Sequence, residues 1–256
     1  MKVVVLGNGR VAVELTRWLA ETGNAPSALV VHPAERARNL AQLLQVAALP
    51  QSRVIEGHRL NQPAGIAWMK ELAPDWLLSF SFGYYVSSAI RSLPLLGSLN
   101  LHPALLPFNR GAHPNVWSIV ERTPAGVTLH VMDNGIDTGE IVAQAGVETL
   151  DVDTGESLYG KLEDASIELF KAHWLRIREG KFRTEPQIGS GSTHKRTELS
   201  KIDRIDPGAM YRANELIDIL RARTFPPFHG AYLDFGDRRV YLSLQLTEAR
   251  VNESDS

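Results

Sequence analysis

The chain contains no cysteine among its 256 residues, which excludes disulfides, thiolate metal sites and a cysteine nucleophile, and fits a reducing compartment. It also has no serine in a strand-to-helix G-x-S-x-G elbow, so the acyl-serine chemistry of that arrangement has no seat. Charge of either sign is nearly balanced, with 27 basic against 29 acidic residues, so no global basic footprint for nucleic acid exists, although a local patch remains open. Long apolar runs are absent too: none approaches the roughly 18 residues of a membrane span. The first of them, Val3 to Leu6, is too short for the core of a signal peptide. These gaps lead to the expectation of a soluble, cytoplasmic protein that binds neither membrane nor nucleic acid. The polar, acidic stretch 251–256 is expected to be disordered.

What is present is an alternation of buried-strand and helix signals. Val3 to Leu6 is a continuous apolar run ended by Gly7, and Val11 to Ala20 repeats apolar residues at helical spacing. Leu29 to Val31 is a second strand, Glu35 to Ala48 a helix, Val54 and Ile55 a third strand, and Ala64 to Leu72 a helix stopped by Pro74. Trp76 to Phe80 follows as a strand. Such alternation predicts an α/β fold, a doubly wound, mostly parallel, Rossmann-like sheet with ligands outside the carboxyl ends of its strands. The turn Gly7 to Ala12 has the G-x-G-x-x-A form of a dinucleotide fingerprint, which keeps a nicotinamide oxidoreductase or a catalytically silent nucleotide module in view. The acidic residue expected at the end of the second strand is missing, because Val31 runs into His32 and Pro33. The turn then reads either as a tight strand-to-helix connection or as a place where Asn8, Gly9 and Arg10 line a substrate site.

The stretch from Ser98 to Gln144 holds more reactive polar groups than packing needs. Asn100 and His102 lie on a short apolar strand with one residue between them, so period-2 geometry puts both on one face. Val127 to Met132 is β-rich and ends in a glycine-rich turn that carries Asp133 and Asp137. An amide can polarise a carbonyl, an imidazole can handle a proton, and a carboxylate can orient that imidazole; together they suit acyl transfer in which the substrate supplies the nucleophile. The plainer alternative makes His102 a core histidine and the two aspartates turn formers.

The motifs NLHPALLPFNRGAHP and GVTLHVMDNGIDTGEI resemble the catalytic signature of the 10-formyltetrahydrofolate-dependent formyltransferases. The resemblance implies Asn100, His102 and Asp137 as the catalytic trio, with Pro103 where family members often carry serine. It implies a folate pocket at Phe82, Gly83 and Tyr84, in an aromatic run where Phe80 reads as core, with Met132, Asp133 and Ile136 on the later loop. It further implies substrate contacts from Asn8, Arg10, Arg110, Gly111 and His113, and no requirement for a metal.

Beyond the signature, Glu140 to Thr149 is strand-like, and Asp153 and Thr154 offer a cap for a helix whose Leu158, Leu162, Ala165, Leu169 and Ala172 face the sheet up to about Gly180. Residues 181–201 lack apolar periodicity and form a loop. Within it His194, Lys195 and Arg196, beside Thr193, suit a phosphate group or else a solvated basic loop, and the resemblance to the formyltransferases implies the phosphate contact. Asp206 and Pro207 predict a helix start, with Met210, Ala213, Leu216, Ile217 and Leu220 on one side. Phe225 to Leu246 predicts a hairpin turning at Gly236 and Asp237. We therefore expect a catalytic domain over 1–190 and a small helix-plus-hairpin extension over 191–256. Among the resembling families the sugar N-formyltransferases fit best, implying a nucleotide-linked amino sugar, surface polysaccharide (O-antigen) synthesis and a homodimer. The alternative within the family is a methionyl-tRNA or other amine formyltransferase, though the chain lacks a fuller basic domain for RNA.

Overall fold

A computed structural model describes residues 1–249. In chain order the elements are β1 (Val3–Gly7), α1 (Gly9–Glu21), β2 (Ala28–Val31), α2 (Leu40–Ala47), β3 (Val54–Glu56), α3 (Pro63–Leu72), β4 (Trp76–Phe80), α4 (Ser88–Arg91), β5 (Gly97–His102), β6 (Arg110–Gly111), α5 (Pro114–Val120), β7 (Ala125–Val131), β8 (Ile141–Val147), α6 (Gly155–Arg178), β9 (Thr193–His194), α7 (Leu199–Asp203), α8 (Ala213–Ala222), β10 (Tyr232–Phe235) and β11 (Arg238–Tyr241). The stretch 251–256, expected to be disordered, lies outside the described residues.

The unbroken apolar strands are apolar because helices cover both faces. Along β1, Val3 and Val5 pack into one cluster with α1 and α6, while Val4 and Leu6 enter another with Leu60, Met69 and Leu72. Each such fully buried side chain contributes about 1.5–3 kcal/mol. The main sheet runs β3-β2-β1-β4-β5-β7-β8. Its pairs are parallel from β3 to β5 and antiparallel across β5–β7 and β7–β8. The expected doubly wound, mostly parallel α/β fold is observed, with a short C-terminal helix and hairpin. No described helix is long and apolar enough to cross a membrane.

Helix α6 starts where the cap predicted it. The Thr154 hydroxyl accepts the Ser157 N–H (3.2 Å) and the Ser157 hydroxyl accepts the Thr154 N–H (3.0 Å), satisfying donors that a helix start leaves orphaned. Its Phe170 and Trp174 then pack edge-on against Phe80 and Trp76 beneath the sheet.

Two helix predictions need correction. The helix expected over 35–48 begins only at Leu40, because the preceding backbone is engaged elsewhere: Arg38 N–H donates to Asn8 Oδ1 (2.7 Å) and the Arg38 carbonyl accepts the Gly9 N–H (3.0 Å). Asp206 and Pro207 start no helix; the Asp206 carboxylate accepts the Gly208 N–H (2.9 Å) and closes a turn, and α8 begins at Ala213. Its buried residues are Asp218, Arg221 and Ala222, while Ile217 and Met210 from the predicted apolar stripe are exposed. The polar pair is buried because Arg221 bonds Asp218 (2.8 Å) and the carbonyls of Leu150 (3.1 Å) and Asp153 (2.8 Å), which bolts α8 to the start of α6. The predicted hairpin turns at Gly236 and Asp237 as β10–β11.

The loop 181–201 crosses the catalytic half rather than hanging free. Ile141 and Glu185 exchange backbone hydrogen bonds (2.7 and 2.9 Å), and β9 lies parallel to β6.

Candidate active site

Strand β5 carries Asn100 and His102 on one face, and both reach the same carboxylate. Asn100 Nδ2 donates to Asp137 Oδ1 (3.1 Å), and His102 Nδ1 lies 3.5 Å from Asp137 Oδ2. Asp137 sits in the left-handed region, at φ 55°, on a loop that folds back over the sheet. Asp133 shapes that loop by accepting from Gly135 N–H (3.0 Å) and the Thr138 hydroxyl (2.7 Å). The Gly111 N–H donates to Asp137 Oδ2 (2.9 Å).

Burial alone would push the Asp137 carboxyl up, but the attraction of His102, the bond and charge of His130 and the Gly111 N–H outweigh it and hold the group far below the usual carboxylate range. It is a buried anion. His102 Nε2 lies 3.0 Å from the Asn109 carbonyl, which can only accept, so this nitrogen carries the proton. With Asp137 beside Nδ1, both ring nitrogens face acceptors.

His130, which the sequence reading did not single out, completes the group. It pairs with Asn100 across the β5–β7 ladder, its Nδ1 donates to the Val131 carbonyl (2.9 Å), and its Nε2 lies 3.1 Å from Asn100 Nδ2. Strand alternation places it beside Thr128 on one face, but which strand pairs with which has no local signature.

Other predicted site residues fall into groups. Phe82 and Tyr84 pack around His32 at centroid distances of 5.6 and 5.0 Å, and Gly83 N–H donates to His32 Nε2 (3.2 Å). Burial, more than the nearby arginines, lowers the His32 pKa. His32, at the end of β2 where a dinucleotide enzyme needs an acid, thus fixes the aromatic loop instead. Met132 follows β7, with its N–H on the Ser98 carbonyl (2.9 Å), and Ile136 is exposed. Arg91 joins the two loops, touching Asn134 on one and the Tyr85 hydroxyl (3.4 Å) on the other.

A second polar centre surrounds His113. Its pKa is lowered to about 4, first by burial and then by the positive charges of Arg196, Arg223 and Arg38. Arg38 lies over the Phe228 ring at 5.1 Å, Phe228 packs on Phe225 (5.6 Å), and Arg223 pairs with Asp203. Arg196 stands against Gly83, 3.6 Å from where a Cβ there would be.

Some predicted substrate contacts are engaged elsewhere. Arg10 pairs with Asp164 (2.5 Å) and Glu163 (3.7 Å) on α6. Arg110 donates to Gln187 Oε1 from two nitrogens (3.0 and 2.6 Å). His194 is buried, stacked on Trp117 at 4.2 Å and paired with Glu121 (3.3 Å), away from its neighbours Lys195 and Arg196 on the exposed side. The Asn8 side chain serves the Arg38 backbone as described. A Cβ on Gly7 would stand 2.8 Å from that of Ala12, which accounts for the glycine as a tight connection.

Fold and site together define a doubly wound enzyme with an amide, two imidazoles and a buried carboxylate gathered over one face of the sheet. The chain belongs to the Formyl transferase family, which matches residues 1–172, and residues 198–248 match the N-formyltransferase dimerization C-terminal domain. It is similar to a sugar N-formyltransferase from a Shewanella species, at 21% identity over 98% of this chain and 99% of that one, with a TM-score of 0.86. A 4-N formyltransferase from Francisella tularensis is 24% identical over 97% and 98%, with a TM-score of 0.81. The formyltransferase PseJ from Anoxybacillus kamchatkensis, solved with UDP-4,6-dideoxy-4-formamido-L-AltNAc and tetrahydrofolate, is 29% identical over 78% and 89%, with a TM-score of 0.58.

Proposed function

We propose that this formyltransferase moves the formyl group of 10-formyltetrahydrofolate to the amine of a nucleotide-linked amino sugar, in the cytoplasm, for surface polysaccharide synthesis. The observation that carries the reading is the buried Asp137 anion held jointly by Asn100, His102 and Gly111 N–H. The ligands in the PseJ structure support the substrate class.

In this reading the neutral amine attacks the formyl carbon and a C–N bond forms. One Asn100 N–H, held at rest by Asp137, turns to the developing oxyanion. The amine proton passes to the His102–Asp137 pair and is returned to folate N10 as the old C–N bond breaks, releasing tetrahydrofolate. Phe82, Gly83, Tyr84, Met132, Asp133 and Ile136, with the exposed Tyr85, form the folate site. Arg38, Arg196 and Arg223 around His113 receive the diphosphate, with Phe228 as an apolar shelf beside them. The chain divides, in this reading, into a catalytic part over 1–190 and an extension over 191–256. The exposed Ile217, Phe235, Val240 and Tyr241 provide the dimer face.

Incubating the protein with 10-formyltetrahydrofolate and a panel of nucleotide-linked amino sugars, followed by mass spectrometry, is expected to show a formylated sugar. Formylation of initiator tRNA in preference to every sugar overturns the reading. A reduced folate should also raise the melting temperature while NAD should not, since a ligand that binds only the native state stabilises it by mass action.

A further inference from the structure

Gln187 lies in the loop 181–201, where no periodicity marks it, yet its side chain makes four hydrogen bonds. Nε2 donates to the carbonyls of Asp137 (2.8 Å) and Gly139 (2.9 Å), and Oε1 accepts from Arg110 Nε (3.0 Å) and a terminal guanidinium nitrogen (2.6 Å). The amide has only one workable orientation. Arginine can only donate and carbonyls can only accept, so the oxygen must face Arg110 and the NH₂ must face the loop.

The part of the loop that Gln187 grips needs holding. Asp137 is a non-glycine residue in the left-handed region, a conformation that persists only when its surroundings over-determine it. Gly139, two residues on, is pressed so close that a Cβ would stand 1.7 Å from the Val131 carbonyl. Arg110 also precedes Gly111, whose N–H holds the Asp137 carboxylate, and β6 is in turn fixed by its pairing with β9. Gln187 and Arg110 therefore connect the backbone of Asp137 to the strand that holds its side chain.

We propose that Gln187, oriented by Arg110, is a positioning residue that sets the place of the Asp137 carboxylate against Asn100 and His102. This rests on the formyl-transfer reading only for its kinetic arm. The groups that face this carboxylate are His102 and Asn100 from β5, His130 from β7 and the Gly111 N–H from β6. A small displacement weakens all of these at once.

Two substitutions of similar volume separate positioning from mere filling. Gln187→Glu keeps the acceptor for Arg110 but removes both donors to the loop, whereas Gln187→Met removes all four bonds. Both are expected to lower kcat by about 10- to 100-fold with KM for the sugar little changed, since misplacing a catalytic group by about 1 Å costs on that order. The acid limb of the kcat profile should move to higher pH. Independently of activity, ¹³C NMR titration of Asp137 should show its pKa rising towards the ordinary carboxylate value in both variants. Should the Gln187 variants fail to fold, Arg110→Met, which frees the amide to turn over, should give the same titration shift. Wild-type kcat and an unchanged Asp137 titration in a folded variant overturn the proposal. An absence of formylated product in the wild type removes the formyl-transfer reading instead, and leaves the NMR arm to decide this one.

Discussion

Asn100 and His130 stand opposite each other in the antiparallel β5–β7 ladder, with Asn100 Nδ2 3.1 Å from His130 Nε2. Asp137 Oδ1 takes a proton of the Asn100 amide, and His130 Nε2 lies 3.4 Å from the same carboxylate oxygen. This fixes which end of the amide is nitrogen: reversed, its oxygen would face the Asp137 anion. The amide thus reaches the reaction already oriented as a donor.

Removing the anion while keeping its shape should stop the chemistry and spare the fold. Asp137→Asn and His102→Asn are each expected to reduce formyl transfer by about 10²–10⁴-fold, the range of a general acid or base. Product formation by mass spectrometry, alongside circular dichroism, checks this; near-normal turnover in both variants sinks the assignment.

The lowered His113 pKa gives a signed dependence of stability on pH. With a value of about 4 in the fold against 6.5 as the ordinary value, the unfolded chain binds the proton more readily. Its contribution is present above 6.5 and is lost as pH falls towards 4. Melting curves at pH 7.5 and 4.5 should therefore show a smaller acid-induced drop for His113→Asn than for wild type; asparagine suits the residue's left-handed backbone (φ 58°). Equal drops would falsify this.

Arg38→Ala together with Arg196→Ala removes charges that substrate and transition state share. KM for the nucleotide sugar should rise by about tenfold or more, with kcat little changed. The gap between variant and wild type should shrink as salt screens the wild-type contacts. An unchanged KM would locate the diphosphate elsewhere.

Ile217 is 43% exposed on a helix whose buried side is polar. If α8 and the β10–β11 hairpin form the face between two copies, Ile217→Asp puts a charge into an apolar contact and shifts the protein towards monomer. Sedimentation velocity at a few concentrations reads this directly, and an unaltered association state rules the face out.

Much of this was legible from the chain, for identifiable reasons. Asn100 and His102 could be put on one face because strand period is local, and Thr154 could be read as a cap because its partner lies one turn away. What escaped depends on pairing between distant segments. His130 gains meaning only from its opposite on β5, and Gln187 only from a loop laid across β6. In the basic run 194–196 charge says nothing of side-chain direction: with His194 in a strand, its ring faces Trp117 while its neighbours are exposed. The stripe on α8 misled because an apolar surface reads the same whether a core or another protein covers it.

The Arg38 backbone closes the turn between β1 and α1 by holding both the Asn8 side chain and the Gly9 N–H. A glycine turn of this form in a dinucleotide enzyme presents its N–H groups to a pyrophosphate. Here the Gly9 N–H is taken by the protein's own chain, so the glycine pattern and the availability of that donor part company. Because the contacts are backbone, a change of side chain at position 38 leaves them in place, and proline there, lacking the N–H, would release only the Asn8 side chain.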